Sequence, residues 1–90
     1  MELTNWKDYK KTLLTEEERE ELELKTDIIS ALIKARNKKK ISQRDLEALS
    51  GVRQPVIARV EKGDTDPRLS TLIKIIRPLD LKLTVTNSKK

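Results

Sequence analysis

Arg53, Gln54 and Arg59 are the residues of this 90-residue chain whose types and spacing could do recognition chemistry. An arginine guanidinium forks onto the acceptors of guanine or onto a phosphate, and a glutamine amide matches the donor and acceptor of adenine. They stand at the entrance to, and along the polar side of, one short helix predicted over Gln54–Lys62. Val56, Ile57 and Val60 supply its apolar side. Catalysis finds no comparable footing. The chain has no cysteine and no histidine, which removes the commonest nucleophile and the commonest general base. It also leaves no disulfide framework and no zinc site of the usual kind. The acidic run Glu16–Glu23 offers carboxylates, but no pocket that would set their pKa values apart. The expectation is a protein that is not an enzyme and carries no cofactor or metal.

A recognition helix must be held by others, and the stretch Ser42–Gly63 supplies them. Ser42 can cap a first helix, with Asp45 three residues on completing a capping box. Leu46 and Leu49 give that helix an apolar stripe. Gly51 sits where it must end in a left-handed conformation, which costs glycine no steric penalty. Pro55 then fits a helix's first turn, and Gly63 stops the second helix. Two short helices joined by a tight turn at Ser50-Gly51-Val52 make a helix-turn-helix.

The charge pattern favours a polyanion as partner. The formal net charge is +5, with 39% of residues charged. Residues 1–26 carry five basic and eight acidic side chains, net −3, and residues 27–90 carry fifteen and seven, net +8. A compact domain at +8 attracts nucleic acid in a strongly salt-dependent way, although a lysine-rich surface can also merely keep a small protein soluble. No run approaches the length of a membrane-spanning helix, and there is no secretory pattern at the start, so a cytoplasmic protein without a membrane partner is expected.

In chain order, four parts are expected: an acidic helical arm at 1–26, the DNA-binding domain at 27–80, a strand at 81–86 and a tail at 87–90. Leu3, Trp6, Tyr9 and Leu13 fall at helical spacing, and Trp6 and Tyr9 are the only aromatics. They either anchor on a partner or fold back on the chain's own helices. Thr15 and Glu18 form a capping box for the next helix, which runs unbroken to about Lys39 or restarts at Thr26-Asp27. Its acidic run is either a solvated face or a surface for a basic partner. Ile29, Leu32 and Ile33 form the stripe that packs on the helix-turn-helix, and Arg36, Lys38, Lys39 and Lys40 close it with a basic cluster. Ser70 is expected to cap a helix over Thr71–Arg77. Leu81, Leu83 and Val85 then alternate with Lys82, Thr84 and Thr86, the period of a half-buried strand. A lone strand needs a mate, so Leu72, Ile76, Leu81, Leu83 and Val85 are the expected dimer surface. The fold class is mainly α: a helical bundle with an N-terminal arm and one C-terminal β-strand, dimeric, so that two reading helices sit about 34 Å apart, one turn of major groove.

The phrase GVRQPVIARVEKG, followed by DPRLSTLIKIIRPLDLKLTV, resembles the Xre (Cro-type) helix-turn-helix family, and more narrowly the HigA-type antitoxins of bacterial toxin–antitoxin pairs. The resemblance covers roughly Asp27 to Val85 and implies a lambda-repressor-like bundle. It implies that Gln43 braces the reading helix and touches phosphate, and that Gln54, Pro55 and Val56 read bases, with Arg59 one turn further on. Arg44, Arg53 and Lys62 would hold the DNA backbone. Glu47 stands where the family has a small residue, and Arg53 where it has a Ser or Thr cap. The function implied is an antitoxin that represses its own operon from operator DNA and neutralises a RelE-like, mRNA-cleaving toxin of HigB type, as a homodimer assembling into a heterotetramer with toxin. Trp6, Tyr9, Leu13, Glu17, Glu20 and Glu21 would contact the toxin. The alternative is a stand-alone repressor.

Overall fold

The computed structural model describes residues 14–87. Four helices follow in order: α1 (Glu16–Lys38), α2 (Gln43–Ser50), α3 (Gln54–Lys62) and α4 (Leu69–Ile76), with a single 3-10 turn at Arg77–Leu79.

The start of α1 is a capping box. The Glu18 N–H donates to the Thr15 hydroxyl at 3.1 Å, and the Thr15 N–H donates to Glu18 Oε1 at 3.0 Å. The helix runs through Thr26-Asp27 without a restart. The Thr26 hydroxyl donates back to the Leu22 carbonyl at 2.9 Å, so it is engaged inside the helix and not available as a cap. A second capping box starts α2, with Asp45 N–H to Ser42 Oγ at 3.0 Å and Ser42 N–H to Asp45 Oδ2 at 3.1 Å. Gly51 ends α2 at φ 79° and Gly63 ends α3 at φ 78°, as their positions predict. The expected cap Ser70 lies within α4, which starts earlier, at Leu69; the Leu72 N–H already bonds the Arg68 carbonyl at 3.0 Å.

Three chain reversals share one construction. At the end of α1 the Lys40 N–H bonds the Asn37 carbonyl and the Ile41 N–H reaches back to Arg36 O, with Lys40 left-handed at φ 57°. Gly63 and Asp64 close α3 in the same way on Val60 and Arg59, and Asp80 (φ 61°) and Leu81 close the 3-10 turn on Arg77 and Ile76. These are Schellman stops, two of them built on residues that carry a Cβ. An ion pair between Lys39 and Asp80 at 2.7 Å links the first stop to the third.

The core contains Leu32 of α1, Leu46 of α2, Val52 of the turn, Ile57 and Val60 of α3, Leu72, Ile75 and Ile76 of α4, and Leu79. Among the described residues it is aliphatic throughout. Leu49, expected beside Leu46, is instead exposed. The inner side of α2 continues from Leu46 to Ser50, whose hydroxyl accepts the Val52 N–H at 3.1 Å and steadies the turn.

The expected strand is absent: among the described residues there is none, and 81–87 has no regular secondary structure. Ladder hydrogen bonds need a neighbouring strand, and among the described residues none is present. Leu81 and Leu83 pack half-buried against the core, while Val85 is almost fully exposed.

Candidate nucleic-acid interface

The helix α3 is fastened at its entrance by a polar chain from α1. Arg36 donates from Nε to Glu61 Oε2 at 2.7 Å and from Nη2 to Glu61 Oε1 at 3.0 Å, a two-pronged contact, and from Nη1 to the Ile41 carbonyl at 3.0 Å. Gln43 Nε2 donates to Glu61 Oε1 at 2.9 Å, and Gln54 Nε2 donates to Gln43 Oε1 at 2.7 Å. The first residue of α2 therefore joins the first residue of α3 to its penultimate residue. The bracing role that the resemblance implied for Gln43 is visible in these bonds. Arg36 and Glu61 were missed as members of the site. Arg36 belongs by sequence to the basic cluster that closes α1, yet the structure turns it inward, its side chain 15% exposed against 8% for Glu61. They lie far apart in sequence, so no local spacing pairs them; the one hint is an acid on an otherwise cationic reading helix.

Around this fastening the cations face water. Arg44, Arg53, Arg59 and Lys62 are exposed, as is Pro55, and Pro55, Arg59 and Lys62 follow one another at helical spacing on one side of α3. Gln54 and Val56 are half-buried, and Val56 packs partly against the core, so only part of its side chain is free for a base. The entrance of α3 differs from those of α1 and α2. Arg53 at the cap position makes no side-chain hydrogen bond and no acid lies in the first turn, whereas Glu16, Glu17 and Glu18 line the start of α1 and Asp45 that of α2. The positive end of the α3 dipole, like that of α4, therefore has neither a side-chain cap nor an acid in its first turn. The carboxyls of Asp45 and Glu18 are held below their ordinary range, chiefly by the backbone N–H of Ser42 and Thr15 and further by those residues' hydroxyls.

The other expected contact residues fall elsewhere. Glu17, Glu20 and Glu21 are exposed on the first half of α1, while Trp6, Tyr9 and Leu13 lie outside the described residues. Of the expected dimer surface, Leu72 (9% exposed) and Ile76 (4%) are buried in the chain's own core and have almost no area left for a second copy. The exposed apolar residues of α4 are Leu69 and Ile73. Among the described residues no cluster of acids could hold a metal, and no helix is long and apolar enough to cross a membrane.

Comparison with known proteins agrees with this architecture. A helix-turn-helix family model matches residues 32–85. An uncharacterized HTH-type transcriptional regulator of Haemophilus influenzae is 45% identical over 82 residues, 91% of this chain and 84% of that protein. Antitoxin HigA1 of Mycobacterium tuberculosis is 41% identical over 56 residues, which span 62% of this chain and 38% of that one. In three dimensions the chain is similar to a toxin–antitoxin module from Streptococcus pneumoniae, with a TM-score of 0.75 and 46% identity over 96% of both chains. On this evidence the chain belongs to the Xre-type helix-turn-helix family, a family of DNA-binding regulators and not of enzymes.

Proposed function

We propose that this protein is an antitoxin: a dimer that binds operator DNA of its own operon through α3 and neutralises a RelE-like, mRNA-cleaving ribonuclease by direct contact. On the DNA side the support is the uncapped entrance of α3, where Arg53 and Pro55 are exposed beside the Gln43–Gln54 pair and Arg59 and Lys62 continue the same open side. Gln54 and Arg59 read base edges, Pro55 and the free part of Val56 contact thymine methyls, and Gln43, Arg44, Arg53 and Lys62 hold phosphates. On the toxin side the observation that carries the reading is the likeness, along nearly the whole chain, to a toxin–antitoxin module. The acidic half of α1 with Glu17, Glu20 and Glu21 suits an enzyme that must itself be cationic to hold RNA, and Trp6, Tyr9 and Leu13 supply apolar anchors. The dimer seam passes to Leu69 and Ile73 together with Leu81, Leu83 and Val85, and two toxins on one dimer make a heterotetramer.

The test is co-expression with the product of the adjacent gene. The full chain restores growth and co-purifies with it, and a Trp6→Ala/Tyr9→Ala/Glu20→Lys/Glu21→Lys variant does neither while still binding DNA. A neighbour that is harmless and forms no complex would favour the second reading, a stand-alone repressor, which the Haemophilus influenzae regulator supports.

A further inference from the structure

Arg36, Glu61, Gln43 and Gln54 form a chain of donors and acceptors whose direction admits one sense only. A guanidinium has N–H groups and no acceptor, and a carboxylate has acceptors and no N–H. Glu61 Oε1 takes hydrogen bonds from Arg36 Nη2 and from Gln43, so Gln43 must face it with its NH2 group, as it does at 2.9 Å. The Gln43 amide oxygen is then turned the other way, and Gln54 can approach it only as a donor, through Nε2 at 2.7 Å. What Gln54 has left for an outside partner is its own Oε1 and one N–H. Reversing Gln43 would reverse Gln54 as well, spending part of the Gln54 oxygen inside the protein and turning two N–H groups outward.

From this geometry we infer that the Arg36–Glu61 pair is a specificity-determining positioning element: it sets the polarity of the Gln43 amide, and through it which base Gln54 accepts. The inference rests on the reading of Gln54 as a base-facing residue. An oxygen beside an N–H matches adenine, which shows an N6 donor next to an N7 acceptor in the major groove; two N–H groups match guanine, which shows O6 and N7 acceptors. The chain as folded therefore selects adenine at that position. Arg36 and Glu61 never approach the DNA in this account. They act by removing one of the two orientations that an unconstrained glutamine amide samples.

The experiment is selection from a duplex pool randomised over the half-site, with the full chain and three variants. Wild type prefers adenine to guanine by about tenfold or more at one position, the discrimination a bidentate contact gives, and Gln54→Ala loses the preference there. Arg36→Met/Glu61→Met removes both charges together, so net charge is conserved, and the adenine preference falls to within about threefold while affinity for random duplex is unchanged. Gln43→Met cuts the chain one step on with the ion pair intact, and gives the same relaxation at the same position should the double variant fail to fold. An unchanged adenine preference in a folded Arg36→Met/Glu61→Met or Gln43→Met protein overturns the inference. A wild type and Gln54→Ala with the same base profile overturn the base-reading role itself, and the inference with it.

Discussion

Glu61, near the end of α3, holds Arg36 of α1 in a two-pronged contact at 2.7 and 3.0 Å, and through Gln43 it reaches the first residue of that same helix. The two ends of α3 are thereby tied to one another and to α1 and α2. Apolar packing by Ile57 and Val60 fixes how deeply α3 sits. The polar chain fixes its rotation and slide, which packing of aliphatic side chains alone leaves loosely specified.

Arg36→Ala should therefore destabilise the fold by about 3–5 kcal/mol, because it strands Glu61 with its side chain largely buried. Arg36→Met/Glu61→Met should cost far less, since neither charge is left behind. Urea midpoints of the two variants separate them; equal losses would show that the pair contributes through packing alone.

Lys40 occupies a left-handed stop at φ 57° that a glycine fills without penalty. The left-handed region costs an L-residue about 1–2 kcal/mol, and glycine gives part of that back through the entropy of the unfolded chain. Lys40→Gly should raise stability by about 0.5–1 kcal/mol in thermal or urea unfolding. A loss of stability would mean that the Lys40 side chain makes a compensating contact.

Much of this architecture is legible in the sequence because its signals are local. Both capping boxes, the glycine stops at Gly51 and Gly63, and the bounds of the reading helix each depend on residues within a few positions of one another. The failures share the opposite cause. Arg36 and Glu61 meet only through the tertiary fold. Leu72 and Ile76 look like a spare apolar surface until α4 is docked, and the alternation at Leu81–Val85 reads as a strand although no strand among the described residues pairs with it.

Acid should weaken the two helix entrances. Glu18 and Asp45 are ionised in the fold at a lower pH than in the unfolded chain, because backbone N–H groups bond the carboxylates. Their contribution is complete above the ordinary carboxylate range and is lost as pH falls through the lowered folded values, where both states become protonated. Asp45→Asn should lose less stability than wild type between neutral pH and about pH 3. Identical acid limbs in the two proteins would remove Asp45 as a contributor.

The proposed seam makes a contrast within one helix. Ile73 is 39% exposed and Leu72 is 9% exposed, one residue apart on α4. Ile73→Glu should give a folded monomer by light scattering with weakened operator binding, whereas Leu72→Glu should unfold the chain by burying a charge. A dimer that survives Ile73→Glu would move the seam elsewhere.

The central claim, that α3 reads DNA, is tested most directly by titrating wild type, Arg59→Ala and Lys62→Ala against the duplex upstream of its own gene and a scrambled duplex across a salt series. Arg59→Ala should lose about 1–3 kcal/mol on the upstream duplex and relax one base preference, while Lys62→Ala should weaken both duplexes alike and lower the salt slope by about one. If Arg59→Ala keeps the full ratio between the two duplexes, α3 is not the reading helix and the account fails.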